Sequence, residues 1–170
     1  MNKNLPLSNI VVLDLTNVLS GPFATQILSD LGAEIIKVEK PNGDDSRKFG
    51  PFIKKRSSYF ISLNRGKKSI VVDFNNEEDK KIFKKLLAIS DVIIDNFKPG
   101  TLEKYGFSSS YLKKNFPLLI QTKISGFGET GPLKENPAYD MIVQAMGGIM
   151  SVTGKNKNET YRVGSSIGDI

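Results

Sequence analysis

The strongest constraint on this chain is an alternation of apolar runs with helical periods. Ile10-Val11-Val12-Leu13-Asp14-Leu15 is an unbroken apolar run carrying one Asp, the pattern of a strand buried on both faces in a parallel sheet. The loop Thr16–Gly21 follows, and Pro22 suits the first turn of a helix. Phe23, Ile27, Leu28 and Leu31 recur at helical spacing through Pro22–Leu31, and Gly32 closes that helix. Glu34–Val38 reads as a second strand. A β-α-β unit with such short connections crosses over right-handedly.

The alternation continues. Pro41–Ser58 is a polar excursion with Gly and Pro, too long for a simple turn, and reads as a functional loop or flap. Tyr59–Leu63 reads as a short extended piece and Ser69–Asp73 as a third strand. Asn75 or Asn76 can cap a helix from Glu77 to about Ser90, with Glu77, Glu78 and Asp79 at its positive end. Its apolar positions Ile82, Phe83, Leu86, Leu87 and Ile89 make one stripe. Asp91–Asp95 and Leu118–Ile124 are a fourth and a fifth strand, separated by the turn Asn96–Gly100 and short helices at Thr101–Tyr105 and Ser108–Asn115. Tyr139–Met150 reads as a helix with a small-residue patch at Ala145, Gly147 and Gly148. Arg162–Ile170 reads as a short strand entering a small-residue turn. The expected class is α/β: a Rossmann-like, open, mostly parallel sheet with helices on both faces, in one domain over residues 1–170.

Composition narrows the chemistry. The 170 residues include no Cys and no His. Disulfides, thiolate nucleophiles and imidazole bases are therefore excluded within the chain. Carboxylates, Lys, Tyr and backbone dipoles remain. The net charge is +6, which points to nucleic acid, a membrane surface or a small molecule carrying several phosphates. Its clusters, Lys54-Lys55-Arg56, Arg65-Gly66-Lys67-Lys68 and Lys80-Lys81, form no continuous stripe with interleaved aromatics, which argues against nucleic acid. Met1–Ser8 lacks the apolar core of a signal peptide, and no run reaches the length of a membrane span. A soluble, cytoplasmic protein is expected.

In an open α/β sheet, ligands sit at the carboxyl ends of the strands. Those ends are Thr16–Gly21, Glu39–Lys40, Asp73–Asn75, Asn96–Gly100 and Ser125–Gly131. Lys40, Lys98 and Lys104 can meet phosphates as point charges, and Phe97 can stack on a base. Gly126-Phe127-Gly128-Glu129-Thr130-Gly131 matches G-x-G-x-x-G literally, but Pro132 follows at once and Glu129 would repel phosphate. Gly66-Lys67-Lys68-Ser69 ends like a phosphate-binding loop, yet Ile61 stands where its first Gly belongs. Asp14, Asp73 and Asp95 at strand ends suit capping or loop hydrogen bonding. Spacing alone does not choose between Asp140 and Asp169 as the functional carboxylate.

Seven blocks in order carry a resemblance. They are Val12–Leu15 with Ser20–Gln26, Leu31–Glu39, Gly43–Arg47, Leu63–Ser69, Asp95–Gly100, Ser125–Pro132, and Tyr139-Asp140 leading to Gln144–Gly148. Together the chain resembles the class III CoA-transferases of the CaiB/BaiF type, which include formyl-CoA and carnitine CoA-transferases and the related 2-methylacyl-CoA racemases. The resemblance implies that Asp169, in the pair Gly168-Asp169, attacks an acyl-CoA thioester. CoA contacts then fall on Leu19, Ser20, Lys40, Val72, Asp73, Phe74, Asn75, Asn96, Phe97, Lys98, Lys104, Pro137, Ala138, Tyr139 and Asp140. Lys40 and Lys104 stand where Arg is common, so their phosphate contacts would be monodentate. Leu19 replaces the Gln of formyl-CoA transferases, which argues against formyl-CoA and oxalate. Tyr139 stands where the racemases place a catalytic His, which argues against a racemase.

The resemblance further implies acyl-CoA and a carboxylic acid acceptor as partners, with no metal and no tightly bound cofactor. It also implies an interlocked homodimer. The chain is expected to be the N-terminal portion of such an enzyme, with a second domain and a C-terminal return beyond it. The alternatives are a 2-methylacyl-CoA racemase relative and a truncated CoA-binding module without turnover.

Overall fold

The computed structural model describes residues 5–170. Two compact units divide after Ile124.

The first unit is built on a parallel sheet of five strands: β1 (Val11–Asp14), β2 (Glu34–Glu39), β5 (Lys68–Val71), β6 (Val92–Asp95) and β7 (Ile120–Lys123). Between β2 and β5 lies a small antiparallel hairpin, β3 (Phe52–Ile53) with β4 (Arg56–Ser57). The helices are α1 (Ser20–Asp30), α2 (Ser58–Asn64), α3 (Glu77–Ala88), α4 (Thr101–Lys104) and α5 (Ser109–Asn115). The sheet order is β5-β2-β1-β6-β7, every neighbouring pair parallel. Counting only the five sheet strands this is 3-2-1-4-5, with its topological switch between β1 and β6.

Successive residues of a strand face opposite sides, and the cores obey this. Leu13, Ile36 and Ile93 face one side and pack with Phe83, Leu87, Phe107 and Leu112 from the α3–α5 region. Val12, Ile35 and Ile94 face the other and pack with Ala33 and Leu28. Phe74, Phe83 and Phe107 meet edge to face at 4.8–6.0 Å, a geometry that adds to area burial. Phe83 is fully buried, so its truncation to Ala costs about 3–5 kcal/mol.

The strands stand where the apolar runs place them, and α3 begins at its Asn76 cap, whose side chain accepts from the Glu78 N–H. Three expectations need correction. Tyr59–Leu63 is helical rather than extended. The Ser57 hydroxyl accepts from the Phe60 N–H, starting α2, and the helix then buries Leu63 and Asn64. In α1 the buried face is Gly21, Pro22, Thr25 and Gln26, while Ile27 and Leu31 of the apolar stripe are exposed. The helix turns its small and polar side inward because Thr25 hydrogen-bonds Asp14. A Cβ on Gly21 would lie 2.3 Å from the Thr16 side chain, so this close approach needs glycine. In the α3 stripe, Phe83 and Leu87 are buried but Ile82 and Ile89 are exposed.

The second unit holds α6 (Asp140–Met146), a 3-10 turn at Ile149–Val152, and a hairpin of β8 (Gly154–Asn156) with β9 (Glu159–Thr160). The helix read as Tyr139–Met150 stops at Met146, because Gly148 takes a left-handed conformation (φ 81°). Arg162–Ile167 forms no strand. A buried side chain of α6 holds it instead, as described below.

Candidate functional site

The loops after β1 and β6 flank the switch point, where an open parallel sheet parts its connections and leaves a crevice. Asn96 bridges them. Its Oδ1 accepts from the Asn17 N–H at 2.9 Å and its Nδ2 donates to the Asn17 carbonyl at 2.8 Å. Beside this bridge is a cavity of about 170 Å³ whose lining includes Asn17, Glu39, Lys40, Phe74, Phe97 and Tyr105. Its walls combine stacked aromatic rings (Phe74 and Tyr105 centroids are 5.2 Å apart) with one exposed cation, Lys40. Such a pocket suits a flat, partly apolar group next to an anion.

The residues expected to contact CoA distribute unevenly. Leu19 caps α1 and Ser20 is its first residue, both half-buried. Lys40 reaches Asp45 at 2.8 Å. Phe74 and Phe97 line the cavity. Asp73 accepts from the backbone N–H and the side-chain amide of Asn75, an ordinary loop role. Asp95 likewise accepts from the Phe97 N–H. Val72 is 1% exposed and its side chain belongs to the core. Lys98 precedes α4 and Lys104 ends it. Pro137, Ala138, Tyr139 and Asp140 lie in the second unit, with Tyr139 exposed and Asp140 buried.

Within that unit the two carboxylates that spacing could not rank prove to be neighbours. Asp140 Oδ1 accepts from the Gly168 N–H at 2.8 Å, and its Oδ2 accepts from Gln144 Nε2 at 2.8 Å. Gln144 is fully buried. Its Oε1 accepts from the Val163 N–H at 2.8 Å, and its Nε2 also reaches the carbonyls of Val163 and Ser165. One carboxamide thus does for this segment what a neighbouring strand would do. Gly168 packs on α6 so closely that a Cβ there would lie 2.9 Å from Val143 Cγ1. The next residue is Asp169, half-buried, its backbone N–H donating to the Ser166 carbonyl. Burial first, and then the negative charge of Asp140, push the Asp169 carboxyl above its ordinary range. A carboxylate so placed keeps basicity and carries no bound cation among the described ion pairs, two properties that suit a nucleophile.

Ala138 and Gly126 explain the G-x-G-x-x-G match. A Cβ at Gly126 would fall 1.8 Å from that of Ala138, and Gly128 and Gly131 sit in left-handed turns. These glycines serve packing and turning.

Sequence reasoning missed a buried ionic network at the carboxyl ends of β1 and β2. Lys37, 1% exposed in the middle of β2, pairs with Asp44 at 2.9 Å and donates to the Thr16 carbonyl. Asp44 is driven up by burial but more strongly down by Lys37 and Ser46, so it stays ionised below the usual range. Lys67 Nζ donates to Asp14, Thr25, Asn64 and the Pro22 carbonyl. Burial lowers the Lys67 ammonium to about 8 against the pull of Asp14. Arg47 grips Glu39 with two bonds of 2.6 Å. Burial pushes Glu39 up, yet Arg47, Ser69 and the Asp44 N–H hold it at about 2. The excursion 41–58 is therefore anchored by charge at its base. The one available signal was a Lys inside an apolar strand, which cannot be buried without a counter-charge.

The chain is 48% identical over 167 residues to the acetyl-CoA:oxalate CoA-transferase of Acetobacter aceti, covering 97% of this chain and 43% of that protein. It is 42% identical over 172 residues to the human succinyl-CoA:glutarate CoA-transferase, covering 100% of this chain and 39% of that protein. The crystal structure of a CaiB/BaiF family protein from Brucella suis superposes with a TM-score of 0.93 at 45% identity, over 98% of this chain and 46% of that one. A hypothetical protein from Mycobacterium tuberculosis gives 0.88 at 35% identity, over 97% of this chain and 46% of that one. The chain thus spans less than half the length of these relatives. The family model for CoA-transferase family III matches residues 7–170, and the chain belongs to that family.

Proposed function

We propose that this chain supplies the CoA-binding sheet and the nucleophile of a CoA-transferase that moves CoA from an acyl-CoA to a carboxylic acid. The observation that carries the reading is Asp169: a half-buried carboxylate with a raised pKa, placed beside a side-chain-free Gly168 that Asp140 fixes in position. It agrees with a chain that has neither His nor Cys to offer.

The chemistry balances on one carboxylate. An Asp169 oxygen attacks the thioester carbonyl, the C–S bond breaks, and an acyl-aspartyl anhydride forms with release of CoA thiolate. The thiolate attacks the aspartyl carbonyl, giving an aspartyl-CoA thioester and the free donor carboxylate. The acceptor carboxylate repeats the first step on this thioester, forming a new anhydride and thiolate. Attack of that thiolate on the acceptor's acyl carbon yields the new acyl-CoA and restores Asp169. No net proton is needed, so the absence of a general base has no cost here.

In this reading Leu19, Ser20, Phe74, Asn96 and Phe97 contact CoA, and Lys40, Lys98 and Lys104 meet its phosphates. Asp140, which Tyr139 precedes, stands beside the reacting carboxylate through its bond to the Gly168 N–H. The acceptor is a small carboxylic acid. A relative named for oxalate keeps that acid within the class despite Leu19. The reading also carries a cytoplasmic, interlocked homodimer. No helix among the described residues is long and apolar enough to cross a membrane. Incubation with acetyl-CoA followed by mass spectrometry is expected to show an acyl or CoA adduct on Asp169. Unchanged mass with measurable CoA binding would leave a CoA-binding module instead.

A further inference from the structure

The loop between β1 and α1 contains the strained residue of this region. Val18 adopts φ 68°, a left-handed conformation that a β-branched side chain takes only under compulsion. The compulsion is visible, because each peptide group on the way to Val18 is held. The Thr16 N–H donates to Asp14 at 2.9 Å, and the Thr16 carbonyl accepts from Lys37 at 2.8 Å. Asn96 takes both polar groups of Asn17. The Val18 N–H donates to Asp44 Oδ1 at 3.3 Å. Beyond the strained residue, the Leu19 carbonyl accepts from Phe23 and starts the helix.

We propose that the buried Lys37–Asp44 pair is a positioning device for the acyl-CoA site. It grips the loop from two sides, Lys37 at the Thr16 carbonyl and Asp44 at the Val18 N–H, and holds Val18 in its left-handed state. Leu19 and Ser20 are thereby presented in a fixed geometry before ligand arrives, which lowers the ordering cost of binding. Fixing one loop does not require ions for stability alone, since apolar replacements of buried pairs are often neutral. The pair's specific contribution is directional: two charged groups with defined bond vectors on one strained turn. The inference rests on the reading that Leu19 and Ser20 contact CoA.

The test uses the whole chain and the double variant Lys37→Met/Asp44→Ala, which removes both charges and the acceptor at the Val18 N–H together and avoids leaving one charge buried alone. Amide hydrogen exchange and CoA titration calorimetry are measured on each. The expected result is at least tenfold weaker CoA binding and at least tenfold faster exchange at Asn17 and Val18, with exchange in β1 and β2 unchanged. Adding Val18→Gly, which makes the left-handed conformation cheap, is expected to recover CoA affinity in the double variant. Unchanged affinity in a folded double variant overturns the proposal, as does weakened affinity that Val18→Gly leaves unrecovered. Absence of CoA binding by the parent chain would instead sink the CoA-site reading. The clamp is then judged by exchange alone: faster Asn17 and Val18 amides support it and unchanged ones overturn it. Should the double variant fail to fold, Asp44→Ser with Lys37→Met gives the same readings.

Discussion

The two units treat buried carboxylates in opposite ways. In the first, Asp14, Glu39 and Asp44 are each closed by a cation: Lys67, Arg47 and Lys37. Charge there is neutralised locally, and Glu39 and Asp44 are held below the ordinary range. In the second, burial first and then the negative charge of Asp140 push the Asp169 carboxyl up. Desolvation acts on Glu39, Asp44 and Asp169 alike, so it does not separate them. The sign of the nearest charge does. The carboxylates at the ends of β1 and β2 meet cations, and the one proposed to react is left beside a like charge.

The comparison makes predictions of graded size. On the proposed function, Asp169→Ala is expected to lower CoA transfer by on the order of 10⁴-fold or more, as for loss of other covalent nucleophiles, with no adduct in the mass spectrum. Retained transfer would break the contrast at its reactive end. Lys37→Ala is expected to destabilise the chain by about 3–5 kcal/mol, because Asp44 is left buried and uncompensated. Urea unfolding measures this, and a change below 1 kcal/mol would mean the pair is not closed to water.

Acid titration tests the same idea from the carboxylate side. The folded pKa of Glu39 is depressed from 4.5 to about 2. Its contribution is therefore fully present above pH 4.5 and is lost as pH falls through about 2. Linkage puts this at about 3 kcal/mol, and Arg47→Met should flatten that part of the stability–pH curve. The smallest effect is a shift of one limb. In the proposed reaction Asp169 attacks as the carboxylate, so its raised pKa is expected to move the acid limb of adduct formation upward. Asp140→Asn removes the like charge, so the limb should move to lower pH. A limb that stays put would assign the raised pKa to burial alone.

Much of the sheet was legible because a parallel strand buried on both faces needs an apolar run, as β1, β2 and β6 show, while the edge strands β5 and β7 are largely exposed and more mixed in sequence. The failures share a cause. Tyr59–Leu63 is rich in residues that favour strands, but the Ser57 cap and the burial of Leu63 and Asn64 decide for helix. Arg162–Ile167 looked like a strand, and its partner is a side chain nineteen residues back (Gln144 to Val163). Lys37 read as one polar residue in β2, while its counter-charge sits in a loop beyond that strand. Each turns on a partner that local pattern does not contain. Asp169 itself was singled out by resemblance to a family. Spacing left it level with Asp140, since no sequence rule says that Asp140 secures Gly168 and thereby faces the next residue.

The hold of Gln144 on Val163 and Ser165 has a consequence for how this segment tolerates change. In this segment the carboxamide meets only peptide N–H and C=O groups and is blind to the side chains those peptides carry. Substitutions at Val163, Gly164 and Ser165 should therefore be absorbed readily. Length is another matter. The register from Gln144 to Val163 and from Asp140 to Gly168 is fixed at two points, so an inserted or deleted residue between them moves the carboxylate of Asp169 by a whole peptide unit. The segment is written in spacing more than in letters.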